Sequence, residues 1–291
     1  MKAPALASVV LLTLGIATGT ASDRPRDRAA IVIGGYRVLA VDFHMHSSMW
    51  SDGTLTPWGL VLEAERHGLD AIAITGHNEV FDGQVGRWFS RRFGGPIVLA
   101  GEEILNPGYH LIAVGIEWRV GFLQNSAGAI DAVHRQGGIA IAAHPIRRFW
   151  AGWPDEAMKR LDGAEICHPL LYAYVTTHND LEAFASRATT AAIGSSDYHG
   201  LGEMGLCRTY VFAREASAQA ILDAVRARRT VVYGLGGRAY GDPALVRLAA
   251  ADGRLREYPP SGRGGPLDWF SRLVGLLGLG GFVAFRRASL A

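Results

Sequence analysis

Short, almost uninterrupted apolar runs alternate with stretches of helical spacing between Val38 and Ala227, and this alternation limits the chain more than any other feature. Val38–Phe43, Ala71–Thr75, Ile97–Ala100, His110–Ile116, Ile139–Ala143, Ala164–Cys167, Ala191–Gly194 and Arg208–Ala213 read as strands. Pro57–His67, Ser126–Gln136, Asn179–Arg187 and Ala218–Ala227 read as helices, the first with Thr56 as N-cap and Pro57 at its first position. Continuous apolar strands are those of a parallel sheet covered on both faces. About seven such units favour a closed α/β barrel over an open sheet. GxGxxG and GxxxxGK[ST] are both missing, so the nucleotide-binding sheets lose their usual support.

Composition agrees with one large core. The 291 residues are 49% hydrophobic, and 29 Lys and Arg balance 27 Asp and Glu to a formal +2. That balance gives no basic footprint for nucleic acid. Two cysteines, Cys167 and Cys207, are too few for a disulfide scaffold or a four-thiolate zinc site and read as buried thiols. If the body is exported, a pairing between them stays open.

The ends differ from the body. Lys2, the uncharged run Ala5–Ala17 and small residues up to Ala21 have the order of a secretory signal peptide over residues 1–21. An uncleaved membrane anchor and a buried core helix are the rival readings. Pro259–Pro266 opens a linker over 259–268. The apolar run Leu273–Phe285 lies in an expected C-terminal helix over 269–291. That run is short for a membrane span, so a short tilted anchor and a helix docked on protein are both open. Arg286 and Arg287 would fit a cytoplasmic tail. The body, residues 31–250, is expected outside the cytoplasm, secreted, periplasmic or anchored, with possible membrane association through its termini.

Residues of metal-ligand type gather at the ends of the strands. His44 and His46 end the first, with alternation that points both imidazoles to one side of an extended chain. Asp52 lies in the following loop, and His77, Glu103 and His144 follow or end later strands. Asp197 and His199 follow Ala191–Gly194, whereas His110 begins its strand. The C-terminal strand ends of a barrel share one rim, so side chains more than 150 positions apart can meet there. Imidazoles and carboxylates in one pocket are the donor set of zinc, manganese or iron.

The motifs Asp42-Phe43-His44-Met45-His46-Ser47, Ser51-Asp52-Gly53 and Ile74-Thr75-Gly76-His77-Asn78 resemble the polymerase-and-histidinol-phosphatase (PHP) domain. Gly101-Glu102-Glu103-Ile104, His110, Ala143-His144-Pro145 and Ser196-Asp197-Tyr198-His199 continue its motifs in order, so the resemblance covers about Val38 to Ala213. It implies a distorted (β/α)7 TIM-like barrel and two to three divalent ions. His44, His46, Glu103 and Asp197 would hold one ion. Asp52, His77 and His199, with Glu103 bridging, would hold a second. His110 and His144, again with Glu103, would hold a third. The chain departs from the pattern twice. Gly76 stands where the family usually has Asp, and the His46-to-Asp52 spacing is one residue longer.

The expected activity is metal-dependent hydrolysis of a small-molecule phosphate ester by a hydroxide shared between metal ions. Asp197 or His199 would hold or relay the proton beside the leaving oxygen, and Arg147, Arg148 or Arg208 would bind the substrate phosphate. The alternatives are carboxylic ester or amide hydrolysis on the same site and a metal-stabilised binding module without turnover. His67, His134 and His178 read as structural. His168 follows a strand but matches no family ligand position. Trp150 and Trp153 read as pocket wall or packing.

Overall fold

The computed structural model describes residues 3–22, 29–200, 202–256 and 266–288. The chain divides into two compact units, one over Arg28–Pro259 and one drawn from both terminal segments.

The larger unit is built on eleven strands: β1 Ile31–Ile33, β2 Tyr36–Asp42, β3 Ala71–His77, β4 Ile97–Asn106, β5 Tyr109–Val114, β6 Ile139–Ala142, β7 Gly163–Cys167, β8 Ala191–Gly194, β9 Thr209–Ala213, β10 Thr230–Tyr233 and β11 Ala239–Gly241. They form one sheet in the order β11-β10-β9-β2-β3-β4-β5-β6-β7-β8, with β1 on β2. The sheet curls into a nearly closed barrel. Its two sides are tied where Thr209 Oγ1 accepts from Gly194 N–H at 2.8 Å and donates to Gly194 O at 2.7 Å.

The sheet is mixed, and this corrects the expectation of a parallel one. β2-β3-β4 and β6-β7-β8 run parallel, but β5 is antiparallel to both neighbours, as is β9 to β2 and β10. Only Pro107 and Gly108 separate β4 from β5, too few residues for a crossover, so the pair must be a hairpin. As a result the start of β5 lies on the rim where β4 and β6 end. His110, which begins its strand, is thereby brought beside residues that end theirs.

Alternation sorts the strands' side chains. Leu39, Val41, Phe43, Ala71, Ala73, Leu99, Ile112, Val114, Ile139, Ile141, Ile193 and Val211 form one buried cluster inside the barrel. The helix Ala218–Arg226 adds Ile221, Leu222, Ala224 and Val225 to it. Residues of opposite parity, Ala40, Ile72, Ile74 and Val98, pack outward against Leu60, Val61 and Ala64 of the helix Pro57–Arg66. That helix starts as expected, with Thr56 Oγ1 accepting from Gly59 N–H at 3.1 Å.

The helix Phe81–Phe93 had no clear sequence signal. Its glycines lower helix propensity, yet the fold requires one of them. A Cβ at Gly83 would meet Ala100 Cα and Ile74 O at 2.9 Å, so glycine lets the helix lie on the sheet backbone.

In the terminal unit, helices Ala3–Ser22 and Pro266–Ala288 lie antiparallel. Glycines line their contact: a Cβ on Gly15 would meet Gly275 N at 2.9 Å, and one on Gly278 would meet Leu12 N at 2.8 Å. Ser271 Oγ donates to Gly15 O at 2.7 Å. The C-terminal helix begins at Pro266, within the expected linker, while 257–265 fall outside the described residues. Among the described residues no helix is long and apolar enough to cross a membrane. The end of the expected leader, Ala21, lies within the first helix.

Cys167 and Cys207 are joined in a disulfide, which corrects their reading as thiols. It links the end of β7 to the residue two before β9, across the opening between β8 and β9. Closing a loop over a sequence separation of 40 restricts the unfolded chain. Its removal should therefore cost about 2–4 kcal/mol. Urea unfolding of oxidised protein and of the Cys167→Ala/Cys207→Ala double variant checks this, and coincident curves would contradict it.

Candidate metal centre

The ligand-type residues meet at the rim, arranged around one carboxylate. Glu103, in β4, is 2% exposed. Its Oε2 is 3.3 Å from His44 Nε2, 3.6 Å from His46 Nε2 and 3.2 Å from His77 Nε2. Its Oε1 is 3.1 Å from both His110 Nδ1 and His144 Nε2. Asp197 Oδ1 completes the first group, 3.2 Å from His44 Nε2 and 3.0 Å from His46 Nε2. Asp52 Oδ1 lies 3.1 Å from His199 Nε2 and 3.7 Å from His77 Nδ1, on the more open side. The longer His46-to-Asp52 segment thus still brings Asp52 to its expected neighbours. All nine anticipated ligand residues come together in this one region.

Several imidazoles have one nitrogen engaged elsewhere, leaving the other to face inward. His44 Nδ1 donates to Glu165 Oε1 at 3.1 Å, His46 Nδ1 meets Ser51 Oγ at 3.1 Å, and His199 Nδ1 donates to Asp197 O at 2.8 Å. In each case Nε2 points at the cluster. This is how histidines are oriented as metal ligands, with the distal nitrogen held by a fixed partner. The groups His44–His46–Glu103, Glu103–His110–His144 and His46–Asp52–His77–His199 each bring their ligand atoms within 4.8 Å of one another. Buried nitrogen and carboxylate donors in such sets suit divalent transition ions.

The electrostatics are those of a closely coupled cluster. Burial works against the Glu103 charge, but His44, His110 and His144 hold its carboxyl well below the usual range. Asp197 is likewise held well below, burial being outweighed by His44, His168 and His46. Burial lowers His46 to about 4. For His44 burial pulls downward, but Asp197, Glu103 and Glu165 more than offset it and hold the imidazole well above its ordinary value.

Buried carboxylates that sequence reasoning passed over support the cluster. Glu165, inside β7, accepts from His44 Nδ1, from Ser195 Oγ and from His144 N–H. Asp42 accepts from Ser196 N–H at 3.0 Å and Gly205 N–H at 2.9 Å, fixing the loop that carries Asp197. Glu165 shows in the sequence only as a charged residue in an apolar strand, and Asp42 only as the first residue of the Asp42–Ser47 motif. His144 and Asp197 adopt left-handed backbone at φ 26° and 49°, costly for non-glycine residues and typical of positions held for function.

Gly76 has a physical explanation. A Cβ there would meet Asp82 Oδ2 at 2.5 Å. The helix after β3 therefore delivers a carboxylate against the position where the family pattern has Asp. Asp82 is fully buried and accepts from Ser47 Oγ at 3.0 Å. Ser47 O in turn accepts from Gly53 N–H at 3.0 Å, closing the turn that carries Ser51 and Asp52.

The three arginines separate. Arg208 is buried, its guanidinium donating to backbone carbonyls of Gly205 and His67, which corrects its reading as a phosphate ligand. Arg147 bonds Asp180 and lies over Trp150, 4.4 Å from the ring centroid. Arg148 lies over Phe149, whose ring is 4.2 Å from that of His110. His67, His134 and His178 pair with Glu63, Asp162 and Glu182 away from the cluster. Trp153 is buried against Tyr109 and Phe184.

A family model described as PHP-associated matches residues 177–230. An uncharacterized protein of Methanocaldococcus jannaschii is 25% identical over 139 residues, 44% of this chain and 81% of that protein. Among solved structures, a two-domain protein from Bacteroides vulgatus, described as containing a PHP-like metal-dependent phosphoesterase, superposes with a TM-score of 0.62 at 23% identity. It covers 78% of this chain and 74% of that one. An amidohydrolase from Chromobacterium violaceum gives a TM-score of 0.45 at 16% identity, over 57% and 89% of the two chains. The resemblance read from the motifs is borne out by the PHP-associated segment and by the fold shared with the Bacteroides protein.

Two expectations follow. Glu103 belongs to two of the ligand groups and His110 to one, so Glu103→Gln should lose more metal equivalents than His110→Ala when dialysed folded proteins are assayed by mass spectrometry. Equal contents would contradict the shared role. Burial also pushes the Asp82 carboxyl up to about 6, from an ordinary 3.8. The folded state thus keeps this proton longer than the unfolded state does. The stability it contributes is present below about pH 4 and is lost as pH rises through about 6. Relative to Asp82→Asn, the wild type should lose up to about 3 kcal/mol over that interval. Denaturant unfolding of both metal-free proteins across it tests this, and a constant difference would refute it.

Proposed function

We propose that the chain is a metal-dependent phosphoesterase acting on a small phosphate ester. The observation that carries this reading is the division of Glu103. One oxygen faces His44, His46 and His77 while the other faces His110 and His144, so a single buried carboxylate would serve both sets of imidazoles if they held cations. Bound divalent ions, zinc, manganese or iron, would acidify a water and neutralise the ester's oxygens. His44, His46, Glu103 and Asp197 would hold one. Asp52, His77 and His199 would hold a second beside Glu103, and His110 and His144 a third.

The remaining work falls to the chain's own groups. His199 is partly exposed on the open side, and its Nδ1–H is fixed on the Asp197 carbonyl, so its Nε2 is aimed at the pocket beside Asp52. With His199 Nε2 given to a cation, Asp197 Oδ2, turned away from His44 and His46, is the group placed to take up or pass a proton near the leaving oxygen. Arg148 makes no ion pair among the described residues. Its stacking on Phe149 keeps a cation beside the His110–His144 side of the cluster, where it would receive a substrate phosphate. Arg147 already has Asp180 as a partner and is the weaker choice. The Cys167–Cys207 disulfide supports a body held in an oxidising compartment outside the cytoplasm.

Phosphomonoesters, phosphodiesters and carboxylic esters supplied to protein loaded with zinc, manganese or iron(II) provide the test. Phosphate-ester turnover is expected, with loss of nearly all of it in His144→Ala and Asp197→Asn. Arg148→Ala should raise KM about tenfold or more while metal content is unchanged, as for loss of a charged hydrogen bond. Turnover of carboxylic esters alone would replace the proposal with the alternative hydrolase. Metal uptake with no turnover of any ester would favour a binding module.

A further inference from the structure

His44, His144, His168 and Asp197 bring their ligand atoms within 4.8 Å of one another. His168 is the member without a role so far. It follows β7, is 2% exposed, and its Nε2 is buried without an aligned hydrogen-bond partner. Two acceptors lie near that nitrogen: Asp197 Oδ2 at 3.3 Å and, farther off, Glu165 Oε2 at 4.0 Å.

The other ring nitrogen decides what Nε2 can be. Leu170 N–H donates to His168 Nδ1 at 3.2 Å. A nitrogen that accepts keeps its lone pair, so a neutral imidazole in this setting carries its proton on Nε2. An imidazolium would turn Nδ1–H against Leu170 N–H. The turn is fixed independently by Leu171 N–H, which donates to His168 O at 2.8 Å. Nε2 is therefore a donor with no lone pair to offer a cation.

We infer that His168 is a positioning residue, whose Nε2–H restrains Asp197 Oδ2 so that Asp197 offers only Oδ1 to a cation held with His44 and His46. The two oxygens are already divided in this way. Oδ1 faces His46 and His44 at 3.0 and 3.2 Å, and Oδ2 faces His168. The inference rests on the metal-dependent reading above. It gives β7 and the residue after it two supporting tasks three residues apart: Glu165 orients His44, and His168 orients Asp197.

The test uses His168→Phe, which keeps a ring without a donor, and His168→Gln, which keeps an N–H. Zinc affinity is measured by competition with a chelator, and the imidazole tautomer by long-range proton–nitrogen NMR of the wild type. The expected result is an Nε2–H tautomer for His168 with and without zinc. His168→Phe should bind zinc about 10- to 100-fold more weakly at unchanged saturating stoichiometry, as when the partner of a metal ligand is removed. His168→Gln should recover most of that loss. Unchanged affinity in His168→Phe, loss of a whole metal equivalent, or a zinc-ligated His168 nitrogen would each overturn the inference. The tautomer is read on the wild type, so it decides the matter even if a variant fails to fold. Wild-type protein that takes up no zinc, manganese or iron would instead overturn the metal-dependent reading itself.

Discussion

A carboxylate 2% exposed and surrounded by imidazoles is the constraint on which this rim is organised. Burying the Glu103 charge is expensive unless it is paired, and no arginine or lysine approaches it among the described residues. Five histidines within 3.6 Å of its oxygens meet that requirement. They come from the positions two and four residues past β2, the end of β3, the beginning of β5 and the residue that follows β6 by two. The barrel's register is therefore also a statement about charge. β4 pairs with β3 so that His77 lies opposite Glu103, and with β5 so that Leu105 lies opposite His110. A slip of one residue in either pairing would turn those side chains to the other face.

This dependence explains which parts were legible in the sequence. Ligand-type residues at the ends of apolar runs can be read directly, because a barrel rim is the one place where strand ends converge. The direction of a strand cannot be read in the same way. β5 and β9 are as apolar as the parallel strands of the sheet, since both faces of each are covered, and apolar runs alone suggest parallel pairing. The two-residue connection between β4 and β5 contained the missing information. The helix Phe81–Phe93 was obscure for a related reason, because Gly83 answers to the close approach of Ala100 and Ile74 rather than to helix propensity. Arg208 was misread because its proximity in sequence to His199 said nothing of direction. Its guanidinium is spent on carbonyls at the end of a neighbouring helix.

The supporting carboxylates form a second layer with its own logic. Asp42, Glu165 and Asp82 are fully buried, and each is surrounded by serine hydroxyls, backbone N–H groups or an imidazole instead of a lysine or arginine. A salt bridge would fix one partner, whereas a carboxylate accepting several N–H and O–H donors fixes several segments at once. Asp42 ties the end of β2 to the loop bearing Asp197. Glu165 ties β7 to His44 and to the backbone of His144. Those two loops hold non-glycine residues in left-handed conformations, an unfavourable backbone state that persists only when surrounding bonds over-determine it.

Gly76 and Asp82 show why such a layer escapes motif reading. A carboxylate missing from the expected position in the chain is present beside it in space, six residues later and on the following helix. The exchange works only in this combination. Asp82 Oδ2 occupies the volume that any side chain at position 76 would need, and glycine leaves it free. Read along the sequence, the motif lacks an acid next to a ligand. In the fold, an acid still anchors Ser47, and through Ser47 the turn that brings Ser51 to His46 and Asp52 to His199. The physical requirement is for a hydrogen-bond acceptor at one place behind the rim, and the chain can meet it from either element that reaches there.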